Sequence, residues 1–244
     1  MPETPRFATS PGHVHAVDFG HVLVLIDYRS GLVQCLLPVA ALQWRDAART
    51  GCLALMAPEL ATCLLTAGLL LPTPAPESWP APISGGPAPA SWGSAEHPAG
   101  VDRPPAVACR SRVKAAGALA AVFAVKRVGS AGSAMLRITT TLRAAASTCR
   151  RAATPAEAHA AVLAVRYAGW DFPGRTACLE ESAAVTLFLA SRRLAVTWCH
   201  GVAPDPVRLH AWIQTVDGMP VAEPSSTLAH TPVLTIGAPH RHRP

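Results

Sequence analysis

The sequence predicts an α+β protein of two modules, and three observations carry that prediction. Charge is unevenly spread: residues 1–105 hold 5 Arg/Lys against 8 Asp/Glu (−3), and residues 106–244 hold 16 against 7 (+9), which sum to the total of +6. Strand-like runs and helical runs are segregated along each half instead of alternating regularly, the α+β pattern. Between the halves, residues 72–105 contain ten prolines with scattered Gly and Ser and no apolar periodicity, which reads as an extended linker. The expected boundaries are 1–72, 73–109 and 110–244.

At 244 residues the chain can bury a real core in one large domain or two small ones. Half of it is apolar but only 5% is aromatic, so alanine carries much of the apolar count and the helices should be small-sided. Seven cysteines, none in a C-x-x-C pair, fit neither a disulfide framework nor a zinc knuckle. The N-terminus lacks the charged-then-apolar order of a signal peptide. The longest apolar stretch, residues 51–71, is interrupted by Pro58 and Glu59. A cytoplasmic protein without a membrane span, metal or cofactor is expected.

In the first module, residues 13–38 read as strands. His21 to Asp27 is β-rich, Arg29-Ser30-Gly31 is a turn signal, and Leu32 to Leu37 is a second apolar run, a hairpin spacing. From Val39 the period becomes helical and Gly51 stops it. Pro58 suits a first helical turn, and Leu60, Leu64 and Leu65 follow at helical steps up to Gly68. Trp79 and Trp92 fall in the Pro-rich stretch, where the protein's own surface or a partner could take them.

Residues 110–168 read as Ala-rich helices broken near Gly129–Gly132, with Thr154-Pro155-Ala156-Glu157 as a capped start. Arg150-Arg151 lacks the stacked aromatics, recognition helix or phosphate loop of a nucleic-acid site, so a solvated helix face is expected. The tail His240-Arg-His-Arg could touch a metal but reads as a frayed end.

Chemistry concentrates in residues 170–224. Pro173-Gly174 breaks the chain, Thr176 is a plausible N-cap, and Leu179, Ala183, Leu187 and Ala190 mark a buried helical stripe. Cys178 therefore falls in a first turn, where unpaired N–H groups and the helix dipole favour a thiolate. Two strands follow, and Asp217-Gly218 is a strong hairpin signal. A two-residue turn there pairs Val216 with Met219 and Trp212 with Glu223, making His210 and Glu223 diagonal neighbours. Cys178, His210 and Glu223, with Asp217 as alternative acid, could form the Cys–His–acid triad of a cysteine hydrolase. The remaining cysteines read as packing residues. Cys199 and His200, adjacent on a strand, face opposite sides and cannot form a rival dyad.

At these residues the chain resembles the leader peptidase (B protein) of lasso-peptide biosynthesis. The matching pieces are Phe172-Pro-x-Arg-x-x-Cys178-Leu-x-x-Ser182, Gly201-Val202, and His210-Ala-Trp212 followed by Asp217-Gly218. The first module is similar to PqqD-like precursor-recognition domains through Leu25-Ile-Asp27-Tyr-Arg-Ser-Gly31. Two departures stand out: Val207-Arg208-Leu209 replaces the usual approach to the histidine, and Glu223 stands where the family has Asp, with one extra residue in the hairpin.

The resemblance implies a winged-helix-like recognition domain (a strand hairpin plus three helices) and a transglutaminase-like, papain-like α+β cysteine protease domain. It also implies a division of labour. The first domain captures the leader of a ribosomally made precursor by strand addition, along Leu32, Val33, Gln34, Cys35 and Leu36, with Leu64 in the groove wall. Cys178 then cuts the leader away, and an ATP-dependent lasso cyclase is the expected partner. Two other classes compete: a transglutaminase-like amidase or acyl transferase, and a non-catalytic peptide-binding scaffold.

Overall fold

The computed structural model describes residues 5–86 and 105–237, which fall in two compact units divided at residue 87. In the first unit, β2 (Val14–Asp18), β3 (Leu23–Asp27) and β4 (Val33–Leu36) run antiparallel in sequence. β3 is buried at every position, as a central strand covered on both faces must be, and its first four residues, Leu23 to Ile26, are accordingly an unbroken apolar run. The β3–β4 turn is closed by Asp27, whose carboxylate accepts from the Arg29 N–H at 2.7 Å and the Ser30 hydroxyl at 2.5 Å.

α1 (Pro38–Thr50) begins on its proline and ends at Gly51 in the left-handed conformation, φ 70°. α2 (Pro58–Thr66) repeats the proline start. The expected third helix is a single 3₁₀ turn, Leu53–Leu55. Leu36 and Leu64 both sit in the core with Trp44 and Leu25. They are therefore interior packing residues and not walls of an open groove: the alternation along β4 turns Leu36 inward, and Leu64 lies on the inner face of α2.

The first unit also takes in residues that composition assigns to the linker. β5 (Leu71–Thr73) pairs with β1 (Phe7–Thr9), and β6 (Ile83–Ser84) pairs parallel to β2. Trp79 is buried, donates its indole N–H to the Ala8 carbonyl at 2.7 Å, and meets Trp44 edge-on at 4.7 Å. Prolines are tolerated on edge strands, where a missing N–H breaks no ladder, and one indole supplies the apolar area the segment otherwise lacks. Trp92 and His240 lie outside the described residues.

Among the described residues the second unit has four α-helices, a three-stranded sheet and a short parallel strand pair. α3 (Cys109–Arg127), α4 (Ala134–Ser147) and α5 (Pro155–Trp170) all pack on or beside α6 (Cys178–Ala190), which is buried along most of its length. α5 opens with a capping box: Thr154 Oγ1 accepts from the Glu157 N–H at 3.2 Å, and Glu157 accepts from the Thr154 N–H at 3.0 Å. No single helix among the described residues is long and apolar enough to cross a membrane. β7 (Arg151–Ala152) and β8 (Leu194–Ala195) form a short parallel pair. The main sheet has the order β10 (Val207–Gln214), β9 (Thr197–Pro204), β11 (Thr231–Ile236), antiparallel throughout.

The hairpin after β10 differs from the sequence expectation. Thr215 donates its N–H to the Met219 carbonyl at 3.1 Å, and Gln214 bridges Pro220, so the register is one residue off the two-residue turn. Gly218, at φ 81°, supplies the left-handed residue of this longer turn. The returning segment makes one isolated bridge and no strand.

Candidate active site

Cys178 is the first residue of α6, with Ala177 as N-cap instead of Thr176. Alanine has no side-chain acceptor, so only half a capping box forms: Glu180 Oε2 accepts the Ala177 N–H at 3.1 Å. Glu180 is buried and ion-paired to Lys126 at the end of α3, which holds the helix start against its neighbour. The first intrahelical bond is from the Glu181 N–H to the Ala177 carbonyl. The N–H groups of Cys178 and Leu179 therefore have no intrahelical acceptor and leave partial positive charge beside the thiol.

His210 on β10 has its Nε2 2.8 Å from Glu223 Oε2, and the Cys178 side chain lies close enough to raise the ring's pKa together with that carboxylate. With Nε2 on the carboxylate, Nδ1 is the ring nitrogen left for the thiol. The structure thus brings together Cys178, His210 and Glu223. Asp217 stays at the exposed turn, where its carboxylate accepts from the Thr215 hydroxyl. A one-residue change of register ordinarily turns a side chain to the other face. Here Ala222 adopts φ 53°, taking the backbone out of extended geometry just before Glu223, and the carboxylate still reaches the ring.

Two residues hold this arrangement: Arg166, which the sequence reading missed, and Ser182, which it quoted without a role. Arg166 on α5 donates to Glu223 Oε1 at 3.0 Å and to the Ala222 carbonyl at 2.7 Å, and lies 3.5 Å from Glu181. It is thus a positioning residue, shared between two carboxylates and the left-handed peptide. Its sequence signal is slight: one cation in the apolar helix Ala161-Val-Leu-Ala-Val-Arg166. Ser182 donates to the Cys178 carbonyl at 2.7 Å and accepts from the Trp198 indole N–H at 2.9 Å, pinning the first turn of α6 to β9.

Burial works against a charged ring at His210, but the hydrogen bonds to Cys178 and Glu223 raise its pKa from 6.5 to about 9. Two further histidines go the other way. His200 is lowered to about 4 by burial and then by the charges of His210 and His230. His230, 5.3 Å from His210 between ring centroids, is lowered to about 4 by burial and then by His210. At neutral pH His210 alone of the three is an imidazolium. Burial also holds the Glu181 carboxyl above its usual range, with Arg166 opposing, and pushes Cys199 up to about 12, in keeping with a packing thiol.

These shifts predict a pH dependence. The folded value for His210 lies above the ordinary 6.5, so its contribution to stability is complete below about pH 6.5 and is lost as pH rises through about 9. Glu223→Gln removes one of the raising partners, and the His210 value should fall. Imidazole proton shifts followed by NMR titration check both; an unchanged midpoint in the variant would rule out the Glu223 contribution.

The three groups open onto a cleft of about 900 Å³ walled by Val162, Trp170, Phe172, Leu209 and Ile213. Among the described residues no cluster of three or more His, Cys, Asp or Glu could hold a metal ion. What the arrangement can do is move a proton from a thiol to a buried, carboxylate-supported imidazole and present a nucleophile to a substrate in an open cleft.

No curated protein and no solved structure matches the chain. A family described as the transglutaminase-like superfamily matches residues 106–235, a span that contains every residue of the cleft and more than half of the sequence. Members of that superfamily usually carry Cys–His–Asp/Glu catalysis. The chain belongs to the transglutaminase-like superfamily.

Proposed function

We propose that this protein is a cysteine peptidase that binds and removes the leader of a ribosomally made lasso-peptide precursor. The observation that carries the reading is Cys178 at the start of a helix beside the hydrogen-bonded His210–Glu223 pair, all three lining one cleft. The Cys178 thiolate attacks the scissile carbonyl. The oxyanion that forms is met by the unpaired N–H groups at the start of α6. His210, held charged by Glu223, gives its proton to the departing amine, which is the new N-terminus of the core peptide. Water then attacks the thioester with His210 as base, releasing the leader as a carboxylic acid. The freed amine is what an ATP-dependent cyclase needs to close a macrolactam.

The first unit supports the recognition half of the reading through β4. This strand lies at the sheet edge in the order β4-β3-β2-β6, so one side of its backbone is available for a further strand. The Asp27 N–H bonds the Leu32 carbonyl at 2.9 Å. Alternation from there turns the backbone groups of Gln34 and Leu36 toward β3 and those of Val33 and Cys35 outward. Exposed Leu32, Leu37, Val39 and Leu42 lie at or near this edge. Cys35→Pro deletes one outward N–H without breaking the β3–β4 ladder, and should weaken leader binding about fivefold to tenfold while leaving the melting temperature nearly unchanged. Fluorescence anisotropy with a labelled leader reads this; equal binding would remove β4 from the recognition surface.

The test of the whole reading is mass spectrometry of a candidate precursor encoded near this chain, incubated with the full protein, with and without a lasso cyclase. A leader-sized fragment ending in a free acid supports the peptidase. Amine incorporation into the precursor would instead give the amidase or acyl-transferase reading. Binding without any covalent change, even with the cyclase present, would leave a recognition scaffold.

A further inference from the structure

We infer that the cleft beside Cys178 binds an acidic side chain of the substrate, and that Arg208 and Arg175 are the residues that select it. The inference rests on the peptidase reading and adds the chemistry of the peptide that enters.

The charges lining the cleft do not balance. Its cations are Arg166, Arg175, Arg208 and His210, and its carboxylates are Glu181 and Glu223. Both carboxylates are already engaged: Glu223 takes His210 and Arg166, and Glu181 faces Arg166. Neither Arg175 nor Arg208 makes a hydrogen bond or ion pair to any described residue, so the cleft keeps two unspent guanidinium groups. Arg208 Nε is moreover buried without a hydrogen-bond partner. A buried charged donor left this way is unfavourable until something accepts from it.

The two guanidiniums sit on the elements that carry the chemistry. Arg175 precedes the nucleophile by three residues in the loop leading into α6. Arg208 precedes His210 by two on β10, so the strand's alternation sends both side chains to one face. Both line the cleft that holds Cys178, so an extended peptide whose carbonyl sits on Cys178 lies in the same cleft as the two guanidiniums. A planar guanidinium suits a carboxylate above other peptide groups, since it can donate two parallel bonds to it. The carboxylate is a side chain and not a chain end, because an endopeptidase substrate continues on both sides of the cut. The surplus of +9 over residues 106–244 draws such a substrate in.

Paired alkylating reagents test this without knowledge of the precursor. Iodoacetate carries the carboxylate and iodoacetamide is its neutral counterpart, and both consume the same thiolate. The ratio of their rates at Cys178, resolved from the other six cysteines by peptide mass spectrometry, therefore divides out any change in thiolate fraction. His210 contributes a constant preference for the anion in every variant. In Arg175→Gln/Arg208→Gln the ratio should fall about fivefold relative to wild type, each single variant should fall less, and Arg208→Lys should retain most of the preference. Cys178 reacting with both reagents at an unchanged ratio in the double variant would overturn the acidic subsite and leave the peptidase reading standing. Cys178 reacting with neither reagent would overturn the peptidase reading, and the subsite with it.

Discussion

Replacing Cys178 by Ala should reduce leader cleavage by about 10⁴-fold or more while leaving leader binding intact. The proposed reaction passes through a thioester on this sulfur, so no remaining group can substitute for it. Cys178→Ser should be nearly as inactive, because the imidazole that holds a thiol's proton is a weak base for a hydroxyl. His210→Ala should lose a similar factor, and the double variant should be no worse than either single one, since the pair acts as a unit. Glu223→Gln should fall by about 10²–10⁴-fold, as the ring loses both its orientation and the charge opposite its proton. Activity should also decline as pH rises through about 9, where His210 gives up the proton that the departing amine needs. Single-turnover cleavage measured beside leader affinity separates these outcomes. A Cys178→Ala protein that still cuts would end the cysteine-peptidase reading.

The second large effect falls on stability. Trp198→Ala should destabilise the second unit by about 3–5 kcal/mol. The side chain is fully buried on the middle strand of the sheet, stacks on His200 at 6.1 Å, and donates to Ser182 Oγ at 2.9 Å. Removing it opens a large cavity and leaves the Ser182 hydroxyl without its donor, so the first turn of α6 loses its tie to β9. Trp198→Phe keeps most of the volume and loses the hydrogen bond, and should cost about 1–2 kcal/mol. Urea unfolding followed by circular dichroism checks the order. Equal stability of the Ala variant and wild type would show that β9 does not carry α6.

Local signals made much of the second unit legible from sequence. The Thr154 capping box and the Gly129–Gly132 break each depend on residues close together in the chain, and each marks the start or interruption of a helix. The stripe expected after Cys178 holds only at Ala183 and Ala190, because α6 is covered round most of its circumference and Leu179 and Leu187 are among its half-buried positions. The candidate triad was legible for the same reason: a nucleophile at a helix start and a histidine on a strand are local features. Two things were not. The turn at 215–219 is set by the left-handed Gly218 and adds one residue, which composition cannot distinguish from a two-residue Asp-Gly turn. Trp79 in a Pro-rich stretch carries no periodic signal, yet it fills the space beside Trp44, a contact fixed only in three dimensions. Arg166 escaped for a similar reason, because its partners lie 15 and 57 residues further along the chain.

The acid of the site is thus held by a clamp and not by a ladder. Arg166 grips the Ala222 carbonyl and the Glu223 carboxylate together, whereas the segment that delivers them pairs with β10 only as far as the Val221 N–H, which donates to the Ile213 carbonyl at 3.1 Å, and forms no strand. Spacing between histidine and acid is therefore free to drift during evolution: a residue gained or lost at the turn changes the loop and leaves the clamp where it was. An exchange of Asp for Glu can be absorbed in the same way, with the backbone giving back the extra methylene. Relatives that fail a fixed-spacing pattern for this triad can still hold the same three groups together, and an arginine on the helix that precedes the nucleophile is the feature that would identify them.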